Sequence, residues 1–198
     1  EIILPHGCEI IDEFAFKGCS SIKVLRIPEN VKSLFSNAFN DCDSLCEIIW
    51  AVSECEIKKS MSYYDANAQT NLKLSSLKIL DNVRSIPANF NALFLEVDNL
   101  KLGKNIQEFG DCAFMDYNCI DSLDLSGVQH IGYKAFAGCK NIQSLTIPKS
   151  VLSIGNNAFS HCEGLENVTW QCDINVLPEG IFEYCGKLIS FTSDNKLV

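Results

Sequence analysis

The sequence predicts a repeat solenoid, made mostly of short parallel β-strands and turns with little helix, in which each coil gives one strand to a common sheet. Three observations carry that prediction. A block of apolar residues returns about every 23 residues. Each block opens on the pattern L-x-x-L-x-L, and most blocks close on Ala-Phe followed three residues later by Cys. A fixed period of this length marks units that cannot bury an apolar face alone but can do so when stacked.

The register runs through Leu4, Ile27, Trp50, Ile79, Leu102, Leu125, Ile147, Trp170 and Ser193, in steps of 23, 23, 29, 23, 23, 22, 23 and 23. The expectation is therefore a single domain spanning 1–198 with about eight coils and one irregular coil at 51–76. That coil holds about six extra residues, and another lacks one between Leu125 and Val128.

Within a coil, the alternation at L-x-L has the period of a strand whose intervening side chains face away from the core. Pro28 and Pro148 follow such strands directly, where a missing N–H ends the ladder. Next come Val151, Ile154 and Gly155, too short a stretch for a helical pass, which predicts a second short strand or extended piece. Ala158 and Phe159 then mark a tight turn or a single helical turn.

Composition excludes several function classes. Twenty-five acidic against 16 basic residues give a formal charge of −9, the wrong sign for a nucleic-acid binder that must displace counterions from phosphate. No run of about 18 apolar residues is present to insert in a membrane, and the first residues do not form a signal peptide. No phosphate loop, nucleophile elbow or H-E-x-x-H motif occurs, so no enzyme activity, catalytic residue or cofactor is expected. His6, His130 and His161 lie at different phases of different coils and read as surface residues.

Eleven cysteines call for an account. Cys19, Cys42, Cys139, Cys162 and Cys185 share one place, three residues after the Phe, and read as small buried thiols filling a corner of each coil. No metal site is expected, because ligands 23 residues apart form a row rather than a tetrahedron. Cys8 aligns with Val31 and Val151 as core, whereas Cys46, Cys55, Cys112, Cys119 and Cys172 fall off the ladder. Trp50 and Trp170 read as packing residues. One Phe per coil, at 16, 39, 90, 114, 136, 159 and 182, forms a spine.

The unit I-P-x-x-V-x-x-I-G-x-x-A-F-x-x-C-x-x-L, clearest from Ile147 to Leu165, resembles the 23-residue leucine-rich repeat of the BspA-like surface proteins, the Treponema-pallidum-type repeat. Ala-Phe-x-x-Cys recurs at Phe16, Phe39, Phe136 and Phe159. Three coils depart from it: Ile181 replaces Ala, Phe90 is followed by Leu93, and after Phe114 the Cys comes two places late, at Cys119. The resemblance implies a leucine-rich repeat right-handed superhelix, secreted or at the cell surface, with adhesion or host interaction as its role. A cytoplasmic location stays open. The chain starts within a strand and ends without a recognisable polar cap, so the expectation is a fragment of a longer protein.

A solenoid binds through one position repeated along its coils. The outward residues of L-x-L are Arg26, Ile49, Lys78, Lys101, Asp124, Thr146, Thr169 and Thr192, flanked two places earlier by Val24, Glu47, Ser76, Asn99, Ser122, Ser144, Asn167 and Ser190. This face is either a ligand surface or an ordinary solvated sheet. Tyr63 and Tyr64, in the long coil, are either loop contacts or the local replacement for the missing Phe. The expected function is a non-catalytic module binding a protein, such as a host matrix or surface protein, or a glycan. An intracellular scaffold or regulatory protein and a purely structural spacer are the alternatives.

Overall fold

The computed structural model describes residues 2–59 and 72–193, which in each unit form the stacked parallel β-coils of a solenoid. The long-coil residues Tyr63 and Tyr64 lie outside the described residues. The chain divides into two compact units, Glu1–Asn105 and Ile106–Val198.

In the first unit the front sheet has five parallel strands, Ile2–Ile3, Val24–Ile27, Glu47–Trp50, Ser76–Ile79 and Leu100–Lys101. Its register is the repeat itself: Leu25 stands beside Ile48 and Ile48 beside Leu77, all three fully buried. The second arc is also a strand, at Ile10–Ile11, Ser33–Phe35 and Glu56–Lys58, so the irregular coil keeps the 23-residue register as far as Lys58. Lys73–Leu74 then pairs with Glu96–Val97.

The second unit repeats the plan. Ser144–Ile147, Asn167–Trp170 and Ser190–Ser193 form the front sheet, and Glu108–Phe109, His130–Ile131 and Ser153–Ile154 form the second. The indole N–H of Trp170 is satisfied by the Ile174 carbonyl at 3.1 Å, as that of Trp50 is by Val52 at 2.7 Å. Both rings are fully buried, as their strand position predicts.

The Phe spine forms as expected. Phe136 and Phe159 stack at 5.4 Å with an interplanar angle of 3°, Phe159 and Phe182 at 6.3 Å, and Phe16 and Phe39 at 5.8 Å. Phe90 heads a 3-10 turn, Phe90–Leu93, and meets the Trp50 ring edge-on at 4.9 Å. Leu93 fills the ladder place there, and in the Phe114 coil Tyr117 fills it, buried against the Phe114 ring at 5.3 Å. Cys119 is thus not a displaced ladder residue.

The turn around each Phe has its own hydrogen-bond ladder. In the second unit, Cys112, Phe114 and Asp116 donate their N–H groups to the carbonyls of Tyr133, Ala135 and Ala137 in the next coil. Lys134, Phe136 and Gly138 do the same to Asn156, Ala158 and Ser160, and Asn157, Phe159 and His161 to Glu179, Ile181 and Glu183. Left-handed residues two places before and two places after the Phe turn these N–H groups to one side; Lys134 (φ 53°) and Gly138 (φ 75°) show the pattern. Nine described residues other than Gly have positive φ, nearly all at these two places. Each costs about 1–2 kcal/mol, which the shared ladder offsets.

The cysteine ladder is more than apolar filling. Cys42, Cys139, Cys162 and Cys185 are buried, and each Sγ donates to the carbonyl of the preceding coil's Phe: Phe16 at 2.9 Å, Phe114 at 3.2 Å, Phe136 at 3.3 Å and Phe159 at 3.2 Å. Cys8 and Cys19 lie in the first coil, covered on one side only, and are half-buried rather than core. Off the ladder, Cys172 is fully buried and Cys46 exposed.

Candidate functional site

The front sheet leaves every second side chain of each strand outward, and because the strands spend their backbone groups on one another, the face presents side chains alone. In the first unit, Arg26, Ile49 and Lys78 stand in one column, with Arg26 beside Ile49 and Ile49 beside Lys78, and Lys101 follows Lys78. Arg26 and Lys101 are exposed, and Ile49 and Lys78 half-buried. The neighbouring column holds Val24, Glu47 and Ser76 in register, all half-buried, and Asn99 is exposed. Ile3 belongs to the first column as well, paired with Arg26 and 74% exposed. The alternation signal could have found it, since Ile3 precedes Leu4 exactly as Arg26 precedes Ile27.

In the second unit Ser144, Asn167 and Ser190 stand in register, and beside them Thr146, Thr169 and Thr192. Thr192 Oγ1 lies 3.5 Å from Thr169 Oγ1 and 3.4 Å from the Val168 carbonyl. Strand geometry spaces these hydroxyls and amides about 4.8 Å apart between strands and about 6.6 Å apart along them. The six positions form a flat, uncharged hydrogen-bonding grid.

Asp124 does not join that grid. Its coil is one residue short, the segment around it is not a strand, and its carboxylate accepts hydrogen bonds from the Ser126 hydroxyl and, at 2.9 Å, from the Ser126 N–H. These bonds hold its carboxyl below the usual carboxylate range. The carboxylate thus closes a turn instead of facing a ligand.

The three histidines are exposed, as predicted. His130 Nδ1 lies 2.8 Å from Ser153 Oγ on the second sheet, and the His161 ring stacks on Tyr184 at 4.6 Å. Among the described residues, no three His, Cys, Asp or Glu converge to hold a metal ion, and no helix is long and apolar enough to cross a membrane.

The fold has counterparts among solved structures. The model of the BspA type leucine rich repeat region matches residues 1–120 and 113–198. A leucine rich cell surface protein from Faecalibacterium prausnitzii A2-165 superposes with a TM-score of 0.53 at 21% identity, over 91% of this chain and 62% of its own. A leucine-rich repeat protein from Bacteroides ovatus ATCC 8483 does so with a TM-score of 0.55 at 20% identity, over 96% of this chain and 59% of its own. The chain therefore spans about three fifths of these two proteins. No curated protein is significantly similar to it in sequence.

Proposed function

We propose, for a chain that belongs to the BspA type leucine-rich repeat family, that it is a non-catalytic binding module of a secreted or surface-displayed protein, whose ligand is a protein or glycan that lies along the front sheet. The surface location is supported by the family and by the F. prausnitzii cell surface protein of the same fold. Adhesion, to host proteins or to other cells, is the role such a module would serve.

The observation that carries the reading is the grid of Ser144, Thr146, Asn167, Thr169, Ser190 and Thr192, a regular face with no charge to desolvate. Burying such groups costs little when each finds a hydrogen-bond partner, and a ligand with its own regular hydroxyls or amides supplies them. In the first unit, taken by itself, Arg26, Lys78 and Lys101 form a basic column suited to an acidic segment of a ligand.

The test is binding of the purified chain to arrays of matrix proteins, serum proteins and glycans. Thr146→Arg with Thr169→Arg should lower affinity for a captured ligand at least tenfold, and Leu152→Arg, at an exposed position off the grid, should leave it unchanged. A ligand indifferent both to that pair and to Lys78→Glu with Lys101→Glu binds elsewhere.

A further inference from the structure

On the turn side of the second unit, the place two residues after each Phe forms an outward column of Asp116, Gly138, His161 and Tyr184, stacked by the N–H groups that the first three donate to the next coil. All four have left-handed backbone, with φ of 67°, 75°, 56° and 58°. Glycine takes that conformation at no steric cost, as Gly138 does here, so the turn itself does not call for His161 or Tyr184. Both are nevertheless exposed, and their rings stack at 4.6 Å with an interplanar angle of 25°.

Gly138 leaves the other face of the His161 ring without a side-chain neighbour in the column, and two coil steps of about 9.6 Å separate the His161 and Asp116 backbones. The Asp116 carboxylate leans into that interval, since a Cβ added at Gly138 would meet its Oδ1. Neighbouring charges are already engaged. Lys140 pairs with Glu163 at 3.0 Å, Lys134 lies over the Tyr133 ring at 5.2 Å, and Glu183 accepts a hydrogen bond from Asn157 at 3.2 Å. Asp116 is exposed and has no ion pair among the described residues, whereas Asp41, at the same place in the first unit, pairs with Lys17 at 3.8 Å.

From this juxtaposition we propose that Asp116 and the His161–Tyr184 stack form a docking site for an arginine side chain on a basic protein segment. A guanidinium is planar, lies flat on an aromatic ring and presents a two-pronged donor to a carboxylate, so one group can cover the His161 face and pair with Asp116 together. A lysine ammonium supplies the charge without the flat face. The surrounding charge has the matching sign: between Ile106 and Ser193 the sequence holds ten Asp and Glu against four Lys and no Arg. The site lies on the turn column and not on the front sheet, so it stands apart from the ligand proposed for the grid.

The test titrates the full chain with an acetylated and amidated Gly-Gly-Arg-Gly-Gly peptide and with its lysine counterpart, following the ring protons of His161 and Tyr184 by NMR. The arginine peptide should shift both rings saturably and bind at least threefold more tightly than the lysine peptide, a comparison that needs no variant to fold. Asp116→Asn and Tyr184→Asn keep a residue type that tolerates left-handed backbone, and each should weaken the arginine peptide at least fivefold. Asp121→Asn, the same loss of charge at an exposed carboxylate outside the column, should leave it unchanged. Unmoved ring protons, equal affinity for the two peptides, or an equal loss in Asp121→Asn would each overturn the site. So would a neutral disaccharide that shifts the same rings while the arginine peptide does not.

Discussion

Replacing Phe159 by Ala tests the register of the whole second unit. The ring is fully buried between Phe136 at 5.4 Å and Phe182 at 6.3 Å. Burial of a Phe side chain contributes about 1.5–3 kcal/mol, and two stacked partners add about 0.5–1.5 kcal/mol each. The coil above is held by the front-sheet and turn ladders and the coil below by the second-strand and turn ladders, which limits their collapse into the cavity. A loss near the upper part of the usual 3–5 kcal/mol range for Phe→Ala is therefore expected. Phe16 supplies the contrast, being half-buried in the first coil and stacked on Phe39 at 5.8 Å; its Ala variant should cost about half as much. Urea unfolding followed by Trp170 fluorescence in a Trp50→Phe background reads Phe159→Ala in the second unit, and Trp50 fluorescence in a Trp170→Phe background reads Phe16→Ala in the first. A Phe159→Ala loss below about 1 kcal/mol, or one no larger than that of Phe16→Ala, would refute the stacked spine.

Gly155 and Gly186 should respond oppositely to Ala, because a Cβ on Gly155 would lie 2.4 Å from the Tyr133 backbone nitrogen, whereas nothing lies within 4 Å of one on Gly186. Thermal melting should show a clear loss for the first and almost none for the second. Asp124 should titrate below the ordinary 3.8 by NMR and return toward it in Ser126→Ala. Its lowered pKa gives a small stabilisation that is fully present above the unfolded value and disappears as the pH falls through the folded one, so Asp124→Asn should flatten stability only in that acid window. Thiol titration near neutral pH should label Cys46 first and leave the ladder unreacted until the chain unfolds, when all eleven cysteines respond. Burial pushes the Cys139 thiol up to about 12, which leaves almost no thiolate to react; eleven fast native thiols would contradict the ladder.

The fold was legible because stacking repeats one physical problem. Each coil must place Leu145, Val168 and their equivalents in the same core column, and a strand allows only every second residue to do so. The turn was far less legible. Its left-handed positions are occupied by Phe14, Cys112, Lys134, His161 and Tyr184 as readily as by Gly18 or Gly138, so the Gly signal that normally marks such backbone is missing. Here the ladder to the next coil imposes the conformation, and that partner lies about 23 residues away. Tyr117 was hidden in the same way: motif spacing pointed to Cys119, but the place three residues after Phe114 is set by backbone geometry and accepts whatever side chain fills it.

The candidate site shows the limit of the same logic. A core column is constrained by its neighbours on both sides, so its residues can be inferred from one another. An outward column meets only solvent or a ligand, and the repeat leaves it free to vary, which is why Arg26, Ile49 and Lys78 succeed one another without pattern. Against that freedom, three successive Thr at 146, 169 and 192 beside Ser, Asn and Ser are not a requirement of folding. The Asp124 coil sharpens the point: its outward segment is not a strand and its carboxylate closes a turn, while the Leu125 core position is buried. Packing tolerates loss of the outward face, so the outward face that remains regular over three coils is the surface on which the Thr146→Arg with Thr169→Arg pair tests for a ligand.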